Sequence, residues 1–152
     1  MTAVVLAIAI VTCGRKPEAG AGSEVPGSRG ELSVRELAKG DQGGPAEPQE
    51  RLVTSAAGLD AVWPGGAPPP SVDFDRERVI VVALGERRTA GYGVEVTAVE
   101  ETGDTLRVRY VERRPGLGCV AAQVITTPYQ VVAVEGRAMA ARFERQVETR
   151  SC

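Results

Sequence analysis

The chain has 152 residues, 18 basic against 20 acidic side chains, a net charge of −2 and no histidine. That length suits a single domain able to bury a core, and with 43% hydrophobic and 25% charged residues it reads as globular rather than disordered. The charge balance argues against a general nucleic-acid binder, and the lack of histidine removes Ser-His-Asp and Cys-His nucleophiles and His-ligated zinc.

Ala3 to Val11 is an apolar run that ends at Thr12 and Cys13. It is too short to span a bilayer, which takes roughly 20 apolar residues, but fits the apolar region of an export signal. Ile10-Val11-Thr12-Cys13 resembles a bacterial lipobox, in which the cysteine is acylated, although Gly, Ala or Ser is usual where Thr12 stands. The absence of a basic segment before the run points to a start upstream of Met1. The alternatives are a plain secretory signal or a frayed apolar terminus. Residues 1–13 are thus expected to be the signal and lipidation segment. Residues 14–30, rich in Gly, Pro, Ser and charge, are expected to form a flexible spacer. A single β-rich domain is expected over 31–152.

Of the cysteines, Cys13, Cys119 and Cys152, acylation of the first leaves an even pair, as export into an oxidising compartment favours. A Cys119–Cys152 bridge closes a loop of about 34 residues, worth roughly 3–4 kcal/mol in the chain-entropy picture. Two unpaired thiols are the alternative.

Along the domain, Glu31 to Ala38 fits neither the helical nor the strand period, and Gly40 to Gly44 is a turn. Arg51 to Val53 reads as a short strand. Thr54 or Ser55 can cap a helix over Ala56 to Trp63 that Pro64 stops. Val79 to Leu84 is a continuous apolar run, the mark of a strand covered on both faces. Tyr92, Val94, Val96 and Ala98 alternate with polar residues and glycine, Thr102-Gly103-Asp104 turns, and Leu106, Val108 and Tyr110 continue the alternation. Val120 to Ile125, Tyr129 to Val134 and Ala141 to Glu144 are further strand candidates. The expected fold is mainly β, with α+β as the alternative class: an antiparallel sandwich or half-open barrel with one short helix near its start.

Few motifs point to chemistry. Gly116-Leu117-Gly118-Cys119-Val120-Ala121 spells a dinucleotide fingerprint, but Pro128 leaves no room for the helix it needs. Asp73, Asp75 and Glu77 lack the ligand loop of a calcium site. Arg87-Arg88 and Arg113-Arg114 fall at predicted turns and read as solvated charge. No catalytic group, metal or cofactor is expected, and paired-carboxylate hydrolysis is a distant third reading.

Val72-Asp73-Phe74-Asp75, Leu84-Gly85-Glu86, Thr89 through Val96, Pro115 through Cys119 and Thr127 through Val132 together resemble the PrcB C-terminal domain over about residues 53–143. The chain departs from that pattern at Ala90, where a second glycine is common, and in the short Pro-rich loop after Trp63. The resemblance implies a cell-surface lipoprotein, a subunit that accompanies and stabilises a surface protease. The expected function is a non-enzymatic accessory protein. It would be held to the outer face of a bacterial envelope membrane by lipid on Cys13, or secreted, and its partner would be an envelope protein. A β domain binding a small molecule, peptide or glycan is the alternative. Tyr92, Pro115, Gly116 and Tyr129 form the candidate binding rim, set against the plainer reading that they define the fold.

Overall fold

The computed structural model describes residues 30–64 and 66–151. The expectations placed on residues 1–13, on the spacer up to residue 29 and on Cys152 lie outside the described residues. The described chain forms seven strands and one helix: β1 (Val34–Gly40), β2 (Gln49–Val53), α1 (Ala56–Val62), β3 (Glu77–Ala83), β4 (Gly93–Thr102), β5 (Thr105–Pro115), β6 (Tyr129–Glu135) and β7 (Ala140–Arg150). One sheet has the order β1-β6-β3-β2 and the other β4-β5-β7, and the two do not close into a barrel.

The valine-rich runs explain the layering. Ile80, Val82 and Leu84 join Val132 and Val134 in facing Val94, Val96, Val99, Leu106, Val108 and Tyr110 of the second sheet. The opposite parity, Val79, Val81, Ala83, Tyr129, Val131 and Ala133, lies against Leu59, with Val62, Trp63, Val72 and Phe74 packed around it. The inner strands β3 and β6 are therefore covered on both sides, which is why their sequences show no alternation. Ser55 caps α1, its Oγ accepting the Gly58 N–H at 3.2 Å. The helix ends where Trp63 turns extended before Pro64.

Three features lie beyond the sequence reading. Residues 34–40 are a strand: the chain pairs antiparallel with β6, and a bulge between Glu36 and Ala38 erases the alternation that would have announced it. A second bulge, between Val96 and Ala98, puts Val99 rather than Ala98 in the core. The sheets are also not purely antiparallel. After β6 the chain crosses to the second sheet through residues 136–139, and β7 runs parallel to β5 from Thr105↔Ala140 to Pro115↔Arg150. Alternation reports which face is buried and carries no information on strand direction.

Candidate loop-end site and its charged cleft

At one end of the sandwich the segments after β3 and after β5 are laced together. Arg87 and Thr126 exchange backbone hydrogen bonds, each at 2.8 Å, Ala90 N–H donates to Ala122 O at 3.0 Å, and the Thr126 hydroxyl donates to Thr89 O. Residues 120–125, expected as a strand, therefore form part of a loop whose only ladder pairing is the isolated Arg87–Thr126 bridge beside it. Gly116 opens this loop so close to the end of β7 that a Cβ there would lie 2.3 Å from Arg150 O, and Gly118 takes φ +93° while Cys119 N–H closes the turn on Gly116 O. What the loop presents outward is apolar: Leu117 and Val120 are fully exposed, and Val124 and Ile125 largely so. Beside it, a cleft of about 530 Å³ is lined by Ala90, Gly91, Pro115, Cys119, Val120 and Arg150 among others.

The same end carries a buried charge. Glu112 is entirely buried, and its carboxylate accepts from Arg114 Nε at 2.7 Å and from Arg145 NH1 at 3.4 Å, with Arg87 NH2 at 3.7 Å. Burial alone would raise its carboxyl, but the hydrogen bond from Arg114 and the charges of Arg114, Arg87 and Arg145 outweigh it and hold it below the ordinary value. Arg87 is further fixed by stacking 5.5 Å from the Tyr92 ring centroid and by donating to Glu86 O at 3.0 Å. Next to this cluster, where the edges β2 and β7 approach, Tyr110 donates its hydroxyl to the Glu50 carboxylate. Burial, with that acceptor, pushes the phenol well above its usual range. Arg87 and Arg113-Arg114 are thus not solvated turn charges: Arg113 and Arg114 lie within β5, and both Arg87 and Arg114 serve the buried Glu112.

Of the candidate rim, Tyr92, Pro115 and Gly116 lie together. Gly91, at φ +95°, is packed against the Pro115 ring, and the Cys119 sulfur lies against Gly116. Tyr129 is elsewhere: it is buried in the helix-side core, with its ring packed on Gly40 and Gly44. Cys119 Sγ sits 3.7 Å from Arg150 O, two residues before Cys152. Asp73 and Glu77 form a turn, Glu77 accepting from Asp73 N–H and from Arg35. Among the described residues, no group of three or more candidate metal ligands is present. The residue that sequence reading missed is Glu112, and the signal was there: the alternation of Leu106, Val108 and Tyr110 carries on to position 112, a core position holding a carboxylate.

Fold and site together describe a two-sheet β domain, covered by a helix on one outer face, with an apolar loop and a charged cleft at one end. Residues 78–135, from β3 through β6, match the model of the family described as PrcB C-terminal, so the likeness seen in the ordered motifs is shown for that stretch. No curated protein and no solved structure matches the chain.

Proposed function

We propose that this is a non-enzymatic accessory protein of the bacterial cell envelope, anchored by lipid on Cys13, whose 116–125 loop docks a partner protein, with a surface protease as the partner class. The observation that carries the docking reading is the outward display of Leu117, Val120, Val124 and Ile125 on a loop pinned by backbone hydrogen bonds. Exposed apolar side chains on a loop held in place cost little conformational entropy on binding, and exposed apolar surface is where partners dock. The match to the PrcB C-terminal family supports the accessory role, and the apolar run before Cys13 supports the anchor. The test is recovery of the tagged full chain from detergent-solubilised envelopes, with identification of co-purifying proteins and of the N-terminal peptide by mass spectrometry. A stoichiometric protease lost on changing Leu117 and Val120 to serine supports the reading, and an unacylated Cys13 removes the anchor from it. The second reading, a ligand-binding β domain, is favoured by one observation, the arginine-lined cleft between β2 and β7.

A further inference from the structure

The cleft between the edges of β2 and β7 has a volume of about 350 Å³ and is lined by Pro48, Gln49, Glu50, Ala83, Leu84, Arg87, Tyr110 and Arg145. One wall, Pro48, Leu84 and the Tyr110 ring, is apolar. The other polar groups are two guanidinium groups, the Gln49 amide and the Glu50 carboxylate that Tyr110 engages. Both guanidiniums lean on the same buried anion, Glu112, which is shared with Arg114 and so cannot neutralise them. Across Glu50, Glu112, Arg87, Arg114 and Arg145 one positive charge is left over. Donors are left over too. Among the described residues, Arg145 engages Glu112 through NH1 alone, and the Arg87 guanidinium hydrogen-bonds only to Glu86 O, its NH2 standing 3.7 Å from Glu112. Glu112, at 1% side-chain exposure, acts as a fixed post that orients the two arginines without consuming their hydrogen-bonding capacity.

We infer that this cleft is a receptor for a carboxylate carried on a small apolar group, taken either as the C-terminal residue of a peptide or as a free acid. The planar fork of an arginine matches a carboxylate, and two forks held by a third party are organised before the ligand arrives. The wall of Pro48 and Leu84 receives the apolar side chain, and about 350 Å³ accommodates one apolar residue with its carboxylate. Glu50 at the same cleft opposes the anion and sets a ceiling on affinity. The assignment rests on the ligand-binding reading and is independent of loop docking: a failed envelope pull-down leaves it intact, and a failed titration leaves the docking loop intact.

The experiment is calorimetric titration of the full chain with N-acetyl-leucine, with its amide, and with an acetylated tetrapeptide ending in leucine as acid and as amide. The acids are expected to bind at least about tenfold more tightly than the amides. Arg145→Gln, on the exposed edge strand, is expected to weaken the acids about tenfold and leave the amides unchanged. Glu50→Gln keeps an acceptor for Tyr110 and is expected to tighten the acids about threefold. Peptide acid binding above the free acid identifies a chain terminus as the source, and equal binding identifies a small free acid. Acid and amide binding alike, no saturable binding of either acid, or a Glu50→Gln protein that binds acids no better than the parent overturns the assignment.

Discussion

The side-chain oxygen of Gln130 accepts the backbone N–H of Val96 at 2.6 Å, joining the two sheets through the middle of the core. Its amide nitrogen donates to Glu36 at 2.7 Å. Val96 precedes a β-bulge, where the regular ladder cannot supply its N–H with a partner, whereas the Glu36 acceptor is its side-chain carboxylate. One buried amide on β6 therefore ties a backbone donor of the second sheet to a side-chain acceptor on β1 of its own sheet. Gln130→Met, of similar length, leaves the Val96 N–H buried and unpaired. Urea unfolding is expected to show a loss of about 2–3 kcal/mol, against under about 1 kcal/mol for a volume-conserving change such as Ile80→Leu. Equal losses for the two variants would remove the amide's special role.

Glu112 makes the fold acid-sensitive. Its carboxyl is held below the ordinary value in the folded state, whereas in the unfolded chain a glutamate titrates near about 4.3. A depressed folded value contributes stability that is fully present above the unfolded value and is lost as pH falls through the folded one. Denaturant midpoints are accordingly expected to hold from neutrality down to about pH 5 and to decline below it. Glu112→Gln removes the anion that Arg87, Arg114 and Arg145 share. The variant is expected to cost about 3 kcal/mol at pH 7, a difference that narrows on acidification. A parallel pH dependence in both proteins would place the acid sensitivity elsewhere.

Much of the fold was legible because burial leaves a period. The unbroken run from Val79 to Leu84 stated a strand covered twice over, and Ser55 with Pro64 bracketed the helix. What failed to show were the places where geometry breaks the period. The bulges at Leu37 and Thr97 hid β1 and shifted the core from Ala98 to Val99. The parallel course of β7 follows from a crossing between sheets, which no local pattern records. Val124 and Ile125 are β-branched and read as strand, yet their segment folds as loop because Arg87 takes its ladder partner only at Thr126. Of the residues named for a rim, Tyr92, Pro115 and Gly116 fall at one end of the sandwich, but Tyr129 belongs to the helix-side core because the missing side chains of Gly40 and Gly44 make room for its ring.

The docking proposed for loop 116–125 is separable from folding. Leu117 and Val120 are fully exposed and bury nothing in the domain. Leu117→Ser with Val120→Ser is therefore expected to shift unfolding free energy by no more than about 0.5 kcal/mol. The same pair is expected to lower recovery of the proposed partner at least about tenfold, since apolar anchors dominate docking energy. Thermal melts and quantitative pull-downs on one preparation read both effects, and retained recovery with an unchanged melt would move the docking surface off this loop.

The neighbourhood of Cys119 bears on how β7 is held. Its sulfur lies 3.7 Å from Arg150 O, and β7 is paired along its whole length to β5 up to Pro115, next to the turn that carries Cys119. A bridge to Cys152 therefore requires only the two residues that follow Arg150. Peptide mapping without reductant is expected to recover the Cys119 and Cys152 peptides as one linked species. Joint replacement of both by serine is expected to lower stability by about 3 kcal/mol through freeing the unfolded chain. The loss is also expected to be local in part: amide exchange at Arg113 to Pro115 and at Thr149 to Arg150 should quicken most, because an exposed edge strand without a terminal tie opens from its end. Separate peptides in the protein purified without reductant, or serine variants with unchanged exchange at that end, would show that the β5 ladder alone holds the strand.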